Sequence, residues 1–126
     1  MILVDTSVWI DHLRSGDERL ADLLNRSQIV IHPFVIGELA CGNLRKRDEV
    51  LRLLNDLPQA VVASQEEVLH LIERKKLMGL GIGFIDAHLL ASAALTDTAV
   101  IWTRDRRLQE ASRKMELAFD ARRHYE

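Results

Sequence analysis

The chain has a single cysteine, Cys41, so no disulfide can form within it, and no Cys/His grouping has the spacing of zinc ligands. No apolar run approaches the ~18 residues of a membrane span. Met1 leads directly into a strand-like run, with no signal peptide between them. A soluble, cytoplasmic protein with no membrane association is the expectation. Aromatic residues are few: two Trp, one Tyr and three Phe, which limits any base-stacking surface. An excess of positive charge is also missing. With a net charge of −2 and a pI near 6.2, the molecule is not a polycation built to coat nucleic acid.

What is present reads as one globular domain over residues 1–126. The 48% hydrophobic and 29% charged residues are enough to bury a core and argue against disorder. Basic residues gather at Arg45-Lys46-Arg47, Arg74-Lys75-Lys76, Arg104 with Arg106-Arg107, and Arg122-Arg123. Solvated helix ends account for most such clusters. Only Arg104, Arg106 and Arg107 fall close enough to the acids described below to be candidates for holding a phosphate backbone.

Strands and helices alternate along the chain. Ile2 to Asp5 reads as a short buried strand, with Thr6 or Ser7 able to cap a helix reaching about Arg14. Leu20, Leu23 and Leu24 have helical spacing after the Ser15-Gly16-Asp17 turn. Ile29-Val30-Ile31 forms a second strand, and Pro33 suits the first turn of the next helix. A charged helix around Val50, Leu54 and Leu57 stops at Pro58, and Val61-Val62 makes a weak third strand. Ser64 and Glu67 form a capping box for a helix with Val68, Leu69 and Ile72 inward. Phe84 to Leu95 is apolar almost all round, as in a central helix. Thr98 to Trp102 is a further strand, and Arg106 to Lys114 a last helix. The alternation predicts an α/β fold, a parallel sheet covered by helices on both faces.

Four acids stand out against that frame: Asp5, Glu38, Asp86 and Asp105. Asp5 and Asp105 follow strands, where open parallel sheets bind ligands. Each also precedes a helix and could serve as an N-cap. Glu38 shares its helix face with Phe34, Val35, Cys41 and Gly42, and Asp86 lies among Ile82, Gly83, Leu89 and Leu90. A carboxylate buried in such company costs several kcal/mol unless it is compensated or its helix turns it to water. Acids converging on one pocket repel, which favours a shared proton or a bound divalent cation. Thr6, Ser7 and Thr103 are placed to hydrogen-bond them, or to cap helices. Asp11, Asp17, Asp48, Asp56 and Asp97 read as surface charge.

Weaker candidates fall away. Gly79, Gly81 and Gly83 suggest a phosphate loop, but Phe84 occupies a required glycine position and the run follows a helix. His32, His88 and His124 lack partner spacing for a metal, and Cys41 is expected to pack as a small apolar residue.

The chain resembles the PIN-domain ribonucleases, and among them the VapC toxins of bacterial toxin-antitoxin pairs. The resemblance is carried by Val4-Asp5-Thr6-Ser7-Val8-Trp9, Ile36-Gly37-Glu38-Leu39, the run from Gly81 to Ala91, and Trp102-Thr103-Arg104-Asp105-Arg106-Arg107-Leu108. It implies a PIN-like three-layer sandwich and an endoribonuclease dependent on Mg2+, with Mn2+ as substitute. It implies Asp5, Glu38, Asp86 and Asp105 as the catalytic, metal-holding acids. A homodimer and inhibition by a cognate VapB-like antitoxin are also implied, with a structured tRNA or rRNA loop as substrate. Trp9 and the apolar helix faces are expected to supply partner surface. Two other classes were weighed. A receiver-type signalling domain needs an Asp after the third strand, where the chain reads Val61-Val62-Ala63-Ser64. A non-catalytic binding module on the same fold is argued against by the four intact acids.

Overall fold

The computed structural model describes residues 1–120; Arg122, Arg123, His124 and Tyr125 lie outside the described residues. Three short strands, β1 (Ile2–Val4), β2 (Ile29–Val30) and β3 (Val100–Trp102), form a parallel sheet in the order β2-β1-β3. Leu3 pairs with Val30 on one side and with Ile101 on the other. Single bridges extend the sheet at both edges, Ile31 to Gln59 and Ile101 to Ala118. The third strand expected at Val61-Val62 is thus displaced. Pairing occurs at Gln59, through Ile31 N–H to Pro58 O and Ala60 N–H to Ile31 O, while Val61 and Val62 remain half exposed. β-branched residues alone do not make a strand where the sheet has already turned away.

The helices are α1 (Thr6–Ser15), α2 (Glu18–Asn25), α3 (Pro33–Ala40), α4 (Arg47–Asp56), α5 (Gln65–Lys75), α6 (Phe84–Leu95) and α7 (Arg106–Lys114). Local chemistry sets their ends. Gly16 adopts φ 78° to close α1, and the Asp17 carboxylate accepts from Leu20 N–H to start α2. Pro33 opens α3, and the reciprocal Ser64–Glu67 capping box opens α5.

Connection geometry then fixes the layers. The chain steps outward from β1 to β2 and Gln59, then crosses back to β3 and on to Ala118. Right-handed crossovers in opposite directions place α1–α4 on one face and α5–α7 on the other. The packing agrees: α3 packs on α1 and on α4, α5 packs on α6, and α6 and α7 lie against β3. The result is a three-layer α/β sandwich. Its core runs from Leu3, Val4 and Val8 through Ile31 and Leu90 to Ile101 and Leu108. Truncating a fully buried member such as Leu3 to Ala removes about 2–5 kcal/mol. Trp9 belongs to this core at 2% exposure, so it offers no partner surface, contrary to the expectation from sequence. The order of connections reverses between β1 and β3. In open parallel sheets that reversal leaves a crevice at the carboxyl ends of the strands.

Candidate active site

Asp5 leaves β1 at that crevice, and Thr103 and Asp105 leave β3 beside it. Asp5 occupies the N-cap position of α1 but makes no capping bond. Its Oδ2 accepts instead from Ser7 Oγ at 2.9 Å and from Thr103 Oγ1 at 2.7 Å, while Oδ1 accepts from no donor among the described residues. The two hydroxyls continue outward: Ser7 Oγ accepts from Arg104 N–H at 3.0 Å, and Thr103 Oγ1 from Asp105 N–H at 3.0 Å. A buried carboxylate therefore ties the turn after β3 to the start of α1. Ser7 and Thr103 spend their hydroxyls on this linkage, and Thr6 donates to Glu38 Oε1 at 2.8 Å, so none of the three acts as a helix cap.

The other acids arrive on separate elements. Glu38, in the second turn of α3, is exposed, so its helix is rotated enough to keep the carboxylate in water. Asp86, in the first turn of α6, is half-buried, and its Oδ2 accepts from Gly83 N–H at 3.1 Å. Asp105 does cap α7, its Oδ1 accepting from Leu108 N–H at 2.9 Å. The capping alternative thus holds for one oxygen of Asp105 and fails for Asp5.

Electrostatics tie the four together. Burial raises the proton affinity of Asp86, and repulsion from Asp5, Asp105 and Glu38 raises it further; the Gly83 N–H opposes without cancelling. The carboxylates do not close into a ready ligand shell, since among the described residues no three such side chains stand in a ligating arrangement. Each turns one oxygen to a neighbouring donor, which is how like charges on one crevice spread apart. The donor set is nevertheless entirely hard oxygen, with hydroxyl support and no thiolate or imidazole among the four. That chemistry fits Mg2+ or Mn2+ and not a soft metal. The repulsion at Asp86 is the charge excess that a divalent cation would offset.

The three candidate arginines separate clearly. Arg104 forms ion pairs with Asp11 and, at 2.5 Å, with Asp17. Asp11 is surface charge as expected, though paired, whereas Asp17 is partly buried and also caps α2, a correction to the reading of sequence alone. The Arg104 contact and the Leu20 N–H outweigh burial to hold Asp17 below the usual carboxylate range. Burial works against the Arg104 charge, yet its two carboxylate partners raise its proton affinity overall. Arg104 is thus committed to bracing the turn that carries Thr103 and Asp105. Arg106 reaches only Glu110, four residues on, at 3.7 Å and largely in solvent. Arg107 lies across Gly81, where an added Cβ would come within 2.7 Å of its Cδ.

Two features had no clear signal in the sequence. His32 and His88 are buried in an aromatic group with Phe34 and Phe84, the Phe34 and Phe84 rings each 4.7 Å from His88. His32 Nδ1 accepts from Phe34 N–H, so Nε2 carries the proton, and burial with the neighbouring His88 lowers its pKa to about 4. Burial lowers His88 as well. Cys41 is exposed at the end of α3 and does not pack as a small core residue.

The PIN domain family model matches residues 2–114. Ribonuclease VapC32 of Mycobacterium tuberculosis, from strain H37Rv and from strain CDC 1551, is 53% identical over 111 residues. That alignment covers 88% of this chain and 90% of the relative.

Proposed function

The chain belongs to the PIN-domain family, in its VapC ribonuclease branch, and we propose that it is a divalent-metal-dependent endoribonuclease, the toxin of a toxin-antitoxin pair. The observation that carries this reading is the electrostatic coupling of Asp86 to Asp5, Asp105 and Glu38, whose repulsion adds to burial in making it a poorer acid. Similarity to Ribonuclease VapC32 over nearly the whole length supports RNA as substrate.

The residues would divide the work as follows. Asp5 and Asp86 are the direct holders of Mg2+ or Mn2+, with Glu38 and Asp105 completing the set directly or through water. A hard cation bound there supplies Lewis acidity toward water and phosphate oxygen. Ser7 and Thr103 fix the Asp5 carboxylate by two hydroxyl bonds to its Oδ2. Gly83 N–H and Thr6 Oγ1 do the same for Asp86 and Glu38. Fixed orientation matters because in-line phosphodiester cleavage tolerates little displacement of the attacking water. Uncompensated, four carboxylates would also repel the RNA backbone, so charge balance at the site governs substrate entry as well as chemistry. Arg106 and Arg107 remain available for backbone phosphates, whereas Arg104 is already paired.

The substrate in this reading is a structured RNA, a tRNA or rRNA loop, and a VapB-like antitoxin inhibits by placing a guanidinium among the carboxylates. A single domain over residues 1–126 would act as a homodimer. Exposed Leu80, Phe84 and Ile85 support a protein-contact surface beside the site. The deciding experiment is cleavage of total cellular RNA by the purified protein with Mg2+, with Mn2+ and with excess EDTA. Cleavage that persists in EDTA, or in the Asp86→Asn variant, would refute the metal-nuclease reading.

A further inference from the structure

Beside Glu38 a cavity of about 430 Å3 opens between α1, α3 and the start of α4. That size lies within the ~300–1,000 Å3 range of small-ligand clefts. Its floor is aliphatic, with Ile10, Leu39 and Val50, and its rim carries Arg14, Asn43 and Arg45. Glu38 is the one acid in the lining, so the cavity shares that side chain with the group of four acids.

We propose that this cavity is a nucleotide subsite, which takes one unpaired base of the RNA next to the cleavage site. The inference rests on the endoribonuclease reading above. Arg14 and Arg45 hold the flanking phosphates, the aliphatic floor covers the base face, and Asn43 reads the base edge.

Three observations converge. First, the loop forming the rim is braced. Arg47 donates from Nη1 to Gly42 O at 3.1 Å and from Nη2 to Ala40 O at 2.6 Å. The cavity is therefore preformed and loses little entropy on filling. Second, Arg14 and Arg45 make no ion pair or hydrogen bond among the described residues, whereas Arg47 and Arg104 are committed to structural partners. Two uncommitted cations around an apolar floor, in a protein of net charge −2, match a flat apolar group with phosphates on either side. Third, Glu38 belongs both to the group of four acids and to the cavity lining, so a strand bound at the acids lies one side chain from the cavity. Unpaired bases are the parts of RNA that proteins read most readily.

The test uses the full chain and fluorescein-labelled 12-nucleotide single strands of A, U or C, with binding read by anisotropy in EDTA over a salt series. Arg14→Ala combined with Arg45→Ala should weaken binding about ten-fold. It should also reduce the salt slope by about 1.4, the value for two lost phosphate contacts on a single strand. Arg14→Lys with Arg45→Lys should keep most of the slope. Asn43→Ala should bind but narrow the differences among A, U and C. All three side chains are exposed, and thermal melts confirm that the variants fold. Unchanged affinity, slope and base preference would overturn the subsite, as would absence of RNA binding by the parent chain. Variants that bind RNA normally but fail to bind the purified product of the neighbouring reading frame would also overturn it, assigning the cavity to a protein partner. If the parent cuts no RNA with Mg2+ or Mn2+ while the variants still lose RNA binding, the hydrolysis reading fails and the subsite stands.

Discussion

Asp86 stands at the third position of α6, where its Oδ2 satisfies the Gly83 N–H and its charge faces three other carboxylates. Asp86→Asn keeps the size and a hydrogen-bond acceptor while removing that charge. Cleavage should fall on the order of 100-fold or more, as when a preorganised electrostatic partner is lost. Stability should move the other way. A carboxyl whose folded pKa is raised binds protons more tightly folded than unfolded, so its ionisation works against the fold as pH rises through the interval between the two values. Without added metal, the variant should melt higher than the parent at pH 7, and the gap should close below the normal carboxylate pKa. Mg2+ should raise the parent's melting temperature more than the variant's. A variant that melts lower at pH 7 would contradict the repulsion. His32 gives the opposite sign. It is neutral and wholly buried, with a folded pKa of about 4 against 6.5 unfolded. Its contribution is complete above pH 6.5 and is lost as pH falls toward 4, an effect on the order of 3 kcal/mol. His32→Asn, which retains an acceptor for the Phe34 N–H, should flatten the stability-versus-pH curve across that window in urea titrations.

At the scale of elements, the loop before α6 and the start of α7 meet where Arg107 crosses Gly81. Gly81 has φ 80°, a region that costs an L-residue about 1–2 kcal/mol. Gly81→Ala adds that strain and a methyl within 2.7 Å of the Arg107 side chain. Urea unfolding should show a loss of about 1–2 kcal/mol, and cleavage should drop as Asp86 and Asp105 lose their register. Wild-type stability in Gly81→Ala would show that the contact is not constraining. The sequence places Gly81 in the family-like run that it opens, but a positive φ and a crossing side chain leave no periodic trace there. The helices were far more legible. Phe84–Leu95 and Arg106–Lys114 fall where apolar pattern and flanking caps placed them. The edge strand did not, since Val61 and Val62 have strand composition but the sheet turns away at Gln59. That Asp5 and Asp105 follow strands was legible in the sequence, and those strands are neighbours in the sheet. The exposure of Glu38 did not follow, because the rotation of α3 is set by its packing on α1 and α4. The commitment of Arg104 to Asp11 and Asp17 joins residues 87 or more positions apart, beyond any local spacing rule.

Taken as a whole molecule, the charge distribution bears on which RNA is cut. The net charge is −2, and the acids cluster at the crevice where a substrate must enter. Tight non-specific binding to a duplex needs a continuous positive face, with affinity set by the number of phosphates neutralised. Arg104 is already paired, which removes one cation from any such face, and both tryptophans are buried at 2% and 7% exposure, which removes two platforms for stacking. In the reading proposed above, what remains is a small number of phosphate contacts near the four acids. Recognition must then come from the shape of a folded RNA that presents an unpaired segment, since a deep helical groove offers side chains little to read. The expected outcome is slow or absent cleavage of unstructured bulk RNA and efficient cutting of one or a few cellular RNAs within single-stranded loops. Induction of the protein followed by sequencing of the newly made 5′ ends measures this directly. A few sharp sites in looped regions are expected, all abolished by Asp86→Asn. Cleavage spread evenly over messenger and ribosomal RNA would mean that binding is dominated by charge after all. Double-strand breaks in DNA would remove RNA shape from the account altogether.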